Sequence, residues 1–366
     1  MQALTPIIQR YNWGSYDFLP EFLNLPKDGQ PYAELWYGTH VRGESVITET
    51  NEPLSKHIGG SLPYMMKVLS AERPLSIQVH PNKKLAEEGY RKEEDQKIAR
   101  QNPQRNYPDP NHKPEILIAL SDVWALSSIR PKEEIISFLE NINSSFVEKK
   151  FNTIEDLFST LLRIEHDNLF LQTILEFAKK NTLEKHDLHW WVLEMARYYS
   201  NDVGIIMPYI LNLVHLSPGE ALFNAPGELH AYLKGSGIEV MSCSDNVLRC
   251  ACTQKYKDVE ELFRITSFSS RSPSILQPKE VDEGLYEYPV ETLDFQVFSA
   301  NQGKRVACPL PSGLGIVLCT EGYVQVSQEE EKKYLKRGEN IFCTTDLILI
   351  EGPGRACIVT NENHMG

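Results

Sequence analysis

The stretch "SIQVHP" at residues 76–81 sets an amide and an imidazole two residues apart. In an extended chain Ser76, Gln78 and His80 share one face, while Ile77 and Val79 share the other. Such a strand presents two possible metal ligands by spacing alone. Two further polar residues interrupt apolar, strand-like runs. Glu115 heads "EILIAL", and His230 follows a glycine-containing turn in "APGELHAYL". Two imidazoles, one carboxylate and one amide oxygen suit a divalent metal such as zinc, with room left for water or substrate. Each residue also has a simpler role. Gln78 is an ordinary exposed strand residue, His80 and His230 are structural histidines, and Glu115 pairs with Lys113.

A second constellation sits in "SDNVLRCACTQKYKDV" at 244–259, where Asp245, Arg249 and Lys255 punctuate small and apolar residues. With Lys113 and Ser76 they could form a local anion site. Arginine grips a phosphate through its two-pronged fork, and lysine acts as a point charge. The competing reading pairs Arg249 and Lys255 with Asp245 and Asp258 on the surface. Glu239 alternates with Ile238 and Val240, so it faces away from them, toward a site or toward solvent. Tyr232 shares the face of His230. Trp13 and Trp36, in "RYNWGSYDF" and "AELWYGTH", read as wall or core residues.

These residues need strands to hold them. From 1 to about 125 the chain consists of short apolar runs broken by Gly and Pro, which is strand grammar. "KKLAEEGYRKEEDQKIARQ" reads as a helix followed by a loop. From about 130 to 212 the apolar period becomes helical. In "NTIEDLFSTLLRI" the residues Ile154, Leu157, Phe158, Leu161 and Leu162 line one face, and Thr153 is placed to cap it. Beyond 212 short strands return with tight Gly and Pro turns, as in jelly-roll or barrel sheets. "GLGIVLCTEGYVQVSQ" reads as a hairpin through Glu321-Gly322. The expected class is mainly β with an α-helical insertion.

Composition narrows the functions. The 366 residues exceed one typical core and imply two or three domains. The net charge of −13 argues against a surface devoted to nucleic acid, and leaves an anionic substrate to be gathered by local cations. The seven cysteines are odd in number, all follow residue 240 and form no CxxC pair. That disfavours a disulfide framework or a cysteine zinc site. No basic start precedes an apolar block, and no run is long enough to span a membrane. A cytoplasmic protein is expected.

Taken together, the segments resemble the type I phosphomannose isomerases. The matching pieces are "YNWG" (11–14), "AELWYGTH" (33–40), "SIQVHP" (76–81), "NHKPE" (111–115), "LHAYLKGSGIE" (229–239) and "SDNVLRCACTQKYKDV" (244–259). Departures include Gln254 where many members have proline, and no proline after His40. The resemblance implies a cupin-type β-core with a C-terminal jelly roll. Its boundaries would be 1–128 with 213–265 for the catalytic β-domain, 129–212 for the helical domain, and 266–366 for the C-terminal domain. It implies one zinc per chain, held by Gln78, His80, Glu115 and His230, and a small phosphorylated sugar as substrate. A monomer is expected, with no nucleic-acid or membrane partner.

The implied reaction interconverts mannose 6-phosphate and fructose 6-phosphate through an enediolate. Glu239 is the first candidate for the base, with Lys113, Asp245 and His112 as alternatives. Arg249 would act on the phosphate or the developing charge, and Lys255 and Ser76 would orient the substrate. Tyr232 and Asp245 are further candidates for substrate binding. Two other functions fit a metal-bearing β-barrel: a metal-dependent cupin dioxygenase, and a cupin that binds sugar phosphates without turnover.

Overall fold

The computed structural model describes residues 1–142, 151–163, 168–301 and 303–362. The order of elements is β, α, β. Strands dominate the chain to Ile129, interrupted by helices at Phe18–Phe22, Leu54–Ile58 and Lys83–Asp95; a helical block runs from Lys132 to Ile210, and strands resume at Leu211. Parts of the helical block, 143–150 and 164–167, lie outside the described residues.

The large sheet has eleven strands and is organised around one long strand, His230–Ser242. The two ends of this strand serve different halves of the sheet. His230 to Lys234 pair with Val123–Ile129, and His230 also faces Gln78 of strand Ile77–Val79. From Gly235 onward the partners are Tyr64–Ala71 on one side and Glu115–Ala119 on the other. The change of partner falls at "GSG", residues 235–237. Gly235 has φ +117°, and a Cβ there would run into the Asp122 carbonyl. Glycine is what permits both the backbone turn and the close approach.

Alternation along these strands sends apolar side chains outward and polar ones inward. Ile77, Val79, Leu126 and Leu233 point into a core shared with the helices. The helices contribute their periodic faces, including Ile135, Leu157, Phe158, Ile174 and Trp191. Thr153 caps its helix as expected: its Oγ1 accepts from the Asp156 N–H at 3.0 Å, and the Asp156 carboxylate accepts from the Thr153 N–H at 3.2 Å. On the other side of the molecule Ile116, Ile118, Ile238 and Val240 pack against Val297, Ile316 and Leu318 of the C-terminal strands. The β-core is thus clamped between helices and a second β-unit.

That second unit contains a six-stranded and a four-stranded sheet enclosing their own core. The N-terminus is sewn to it, because Gln2 exchanges two backbone hydrogen bonds with Phe342. Here one expectation fails. Gly315–Glu321 and Tyr323–Gln328 do not form a hairpin. The first pairs with Asn340–Cys343 and Arg355–Thr360, the second with Glu331–Lys336 and Leu347–Glu351. Gly322, at φ +62°, carries the chain from one sheet to the other. Both strands have an apolar face to bury, and facing sheets bury more than a two-stranded ribbon would.

Ile77 is completely buried in the helical core while its neighbour Gln78 faces the cavity described below. Ile77→Ala is expected to destabilise the fold by about 2–5 kcal/mol. The measurement is the urea midpoint at constant denaturant slope. A shift near zero would show that the helices do not anchor this strand.

Candidate metal centre

Gln78, His80, Glu115 and His230 converge, although about 150 residues separate the first from the last. Backbone pairing explains how. His230 lies opposite Gln78, which places both on one half of the large sheet. Glu115 starts its own strand opposite Asn224 and Met241, on the other half. His80 sits just past the end of Ile77–Val79, and its ring centroid lies 5.1 Å from that of His230. The Glu115 carboxylate reaches across, with Oε1 3.3 Å from His80 Nε2 and Oε2 3.2 Å from His230 Nε2. The Gln78 amide lies 3.5 Å from His230 Nε2.

Both rings are oriented from behind. His80 Nδ1 lies 2.8 Å from the Asn246 carbonyl, and His230 Nδ1 lies 3.0 Å from the Glu228 carbonyl. A carbonyl only accepts, so each Nδ1 carries the proton and each Nε2 offers a lone pair to the centre. Burial pushes His80 down to about 4, so its ring is neutral near pH 7. Burial alone would raise the Glu115 carboxyl. The Lys113 ammonium, 2.7 Å from Oε1, outweighs it and holds the carboxyl well below the usual range.

His80 Nε2 and Glu115 Oε2 are buried and make no hydrogen bond, while Oε1 has the Lys113 ammonium at 2.7 Å. Buried polar atoms ordinarily find partners. One ligand atom from each of His80, Glu115 and His230 lies within 4.8 Å of the others, the single cluster of metal-ligating side chains of this kind among the described residues. Neutral imidazole nitrogens, a charged carboxylate and an amide oxygen fit a divalent cation.

The cluster opens onto a cavity of about 490 Å³. Its walls include Ser76, Lys113, Tyr232, Glu239, Asp245, Arg249 and Lys255, with Arg249 directly opposite Gln78 on the neighbouring strand. Tyr232 is buried, and its hydroxyl accepts from the Asn224 amide at 3.3 Å. Asp245 is engaged by Arg42 at 3.2 Å rather than by Arg249 or Lys255. Asp258 is likewise committed elsewhere, because it caps the helix Val259–Ile265. Among the described residues neither Arg249 nor Lys255 has a carboxylate partner. Burial and then Arg42 lower the Arg249 guanidinium; burial, Arg249 and Arg42 lower the Lys255 ammonium. His112 stands apart from the cavity and contacts Asp294 at 2.7 Å.

Glu239 does not face solvent. It is 3% exposed and bonded to Lys67 Nζ at 2.8 Å. Lys67 also lies 3.9 Å from Glu34, whose carboxylate accepts from Trp36 Nε1 at 2.6 Å. Burial would lower the Lys67 ammonium, but Glu239 and Glu34 outweigh it and raise it. Lys67, Glu34 and Arg42 escaped notice in the sequence. The available signal was a lone lysine in the apolar run "YMMKVLSA", at the same alternation as Met65 and Leu69.

An inward-facing cluster of His, Glu and Gln, on a β-core flanked by a jelly roll, defines a metal-binding protein of the cupin class. A family model of the catalytic domain of type I phosphomannose isomerase matches residues 1–132. A mannose-6-phosphate isomerase of Salmonella typhimurium is 33% identical, over 99% of this chain and 100% of its own length. One from Homo sapiens is 33% identical over 78% of this chain and 79% of its own. A solved mannose 6-phosphate isomerase bound with zinc and yttrium superposes with a TM-score of 0.90 at 31% identity, covering 99% of each chain. The chain belongs to the type I phosphomannose isomerase family, and is an enzyme of the mannose-6-phosphate isomerase kind.

The Lys67–Glu239 pair supplies a test of the cavity wall. Lys67→Met strands a buried carboxylate and should cost about 3–5 kcal/mol of stability. Adding Glu239→Leu should return most of that loss. Denaturant unfolding of the two single variants and the double variant measures the coupling. Additive losses would show that the two charges do not support one another.

Proposed function

We propose that the protein interconverts mannose 6-phosphate and fructose 6-phosphate at the cavity, with one zinc ion held by Gln78, His80, Glu115 and His230. The observation that carries this reading is a pairing of features in one cavity. The ligand candidates Gln78, Glu115 and His230 line it with His80 Nε2 beside them, and the cations Arg249 and Lys255, which have no carboxylate partner among the described residues, line it too. The solved relative that binds zinc adds support for the choice of metal. Bound zinc would supply Lewis-acid stabilisation of negative charge on the sugar oxygens.

The chain's own residues account for the remaining steps. Arg249 takes the substrate phosphate through its fork, and Lys255 adds a point charge. Ser76, on the strand bearing Gln78, donates its hydroxyl at the cavity wall. Asp245 fixes Arg42 at the cavity edge, and Tyr232 closes the wall beside His230. Lys113 keeps Glu115 charged. Glu239 removes the proton from sugar carbon 2 and returns it to carbon 1, with an enediolate between the two transfers, while the hydroxyl proton on oxygen 2 passes to oxygen 1. Lys67 holds the Glu239 carboxylate in place for both. A positioned base of this kind contributes about 10²–10⁴-fold to rate.

Three variants and one extraction test the assignment. Chelation should abolish formation of fructose 6-phosphate from mannose 6-phosphate, and added zinc should restore it. Full activity in verified metal-free protein would exclude zinc catalysis. Glu239→Gln should lower kcat by at least about a hundredfold while bound zinc is unchanged. Near-normal turnover would remove Glu239 from the base role. Arg249→Ala should raise KM for mannose 6-phosphate at least about tenfold and leave any turnover of free mannose unaffected. Equal losses on both sugars would contradict a phosphate role. Glu115→Gln should reduce bound zinc, measured by elemental analysis, without loss of the fold.

A further inference from the structure

A second cavity lies behind the catalytic one, on the opposite face of the same strands. Its volume is about 330 Å³, within the range of small-ligand sites. Ile118 and Ile238 form its floor, whereas their neighbours Leu117 and Glu239 face the other way. Phe18 and Phe22 add an aromatic wall. The C-terminal β-unit supplies the roof. It contributes Arg337 and Arg355, with Ser299, Asn301, Thr320 and Glu321 between them. The two cavities share no lining residue.

The arginines are the unusual feature. Arg355 Nε is buried and has no hydrogen-bond partner. Glu321 is its cross-strand neighbour, yet no ion pair joins them. Arg337 lies over the rings of Phe18 and Phe22, at 5.9 and 5.2 Å from their centroids, again with no carboxylate partner among the described residues. In a chain of net charge −13, acidic partners are plentiful elsewhere. A buried guanidinium N–H without an acceptor is costly, and a guanidinium is built to accept a phosphate or carboxylate.

We propose that this inter-unit cavity is a binding site for a small organic anion: a phosphate or carboxylate held by Arg355 and Arg337, carrying an aromatic or aliphatic group that packs on Phe18, Phe22, Ile118 and Ile238. The ligand spans the joint between the β-core and the C-terminal unit. It touches the rear of the strands that carry Glu115 and Glu239, and is separate from the sugar-phosphate site.

Phenyl phosphate is the probe, titrated by calorimetry into the full-length, zinc-loaded protein. Because it could also enter the catalytic cavity, the titration is run in Arg249→Ala as well as in the wild type. Binding should persist in Arg249→Ala. It should weaken at least about tenfold in Arg355→Gln/Arg337→Gln, with Arg355→Lys intermediate. Inorganic phosphate should bind at least about tenfold more weakly than phenyl phosphate, because it lacks the apolar contact. Ser299→Trp fills the cavity without removing charge and should abolish binding. Retained isomerase activity and an unchanged melting temperature show that the Arg355, Arg337 and Ser299 variants are folded; for Arg249→Ala the melting temperature alone serves. No binding in Arg249→Ala up to about 10 mM, an affinity indifferent to both Arg355 and Ser299 substitutions, or equal affinity for the two phosphates would each overturn the proposal.

Discussion

The negative charge on Glu115 is the constraint on which the site depends. The residue is fully buried, and an isolated carboxylate in that position would take up a proton rather than stay charged. It stays charged because the Lys113 ammonium lies 2.7 Å away; the two rings direct Nε2 lone pairs at it, an arrangement that calls for a cation between them. Those rings hold their orientation only because the Asn246 and Glu228 carbonyls occupy their other nitrogens. Each of these groups comes from a different strand or loop. The charged carboxylate faces both imidazoles only if the two halves of the large sheet meet at the right distance.

Strand alternation enforces that meeting. The strand carrying Gln78 is pinned by Ile77 and Val79 in the helical core, and the strand carrying Glu115 by Ile116 and Ile118 against the C-terminal unit. The polar row of each strand is then left facing inward with no freedom to slip. A one-residue shift in register would drive Gln78 into the helical core and Ile77 into the cavity. Two apolar cores on opposite sides therefore fix one polar site between them. The helical insertion and the jelly roll act on the site by holding its walls, without contributing a ligand to the cluster.

The sequence made the local parts of this visible and hid the long-range ones. Periodicity located the helices, Thr153 its cap, and the break at residue 130 the change from strands to helices. The polar anomalies at Gln78, His80, Glu115 and His230 stood out because each interrupts an apolar run. Their convergence did not, because it depends on His230 facing Gln78 and Glu115 facing Asn224, pairings across 152 and 109 residues. The resemblance to a known family, not spacing, brought them together. Lys67 stayed hidden for the same reason: its partner Glu239 lies 172 residues away. At Glu321-Gly322 the local signal was real but ambiguous. A glycine at positive φ ends a strand equally well whether the chain folds back on itself or crosses to a facing sheet, and only the distant partner strands decide.

The cationic part of the cavity wall obeys the opposite logic to Glu115. There the charges are left unbalanced. Asp245 answers Arg42 and His40 but neither Arg249 nor Lys255, and burial with neighbouring cations weakens the hold of these two on their protons: Arg42 acts on Arg249, and Arg249 and Arg42 act on Lys255. In a protein of net charge −13 such an arrangement costs stability and would be easy to neutralise with one more acidic side chain. On the proposed assignment, a substrate phosphate between Arg249 and Lys255 would offset the repulsion and supply hydrogen-bond acceptors in one step. The unfavourable electrostatics of this wall would then become part of the free energy of binding. Because this favourable term needs negative charge on the ligand, a neutral sugar of the same shape gains nothing from it.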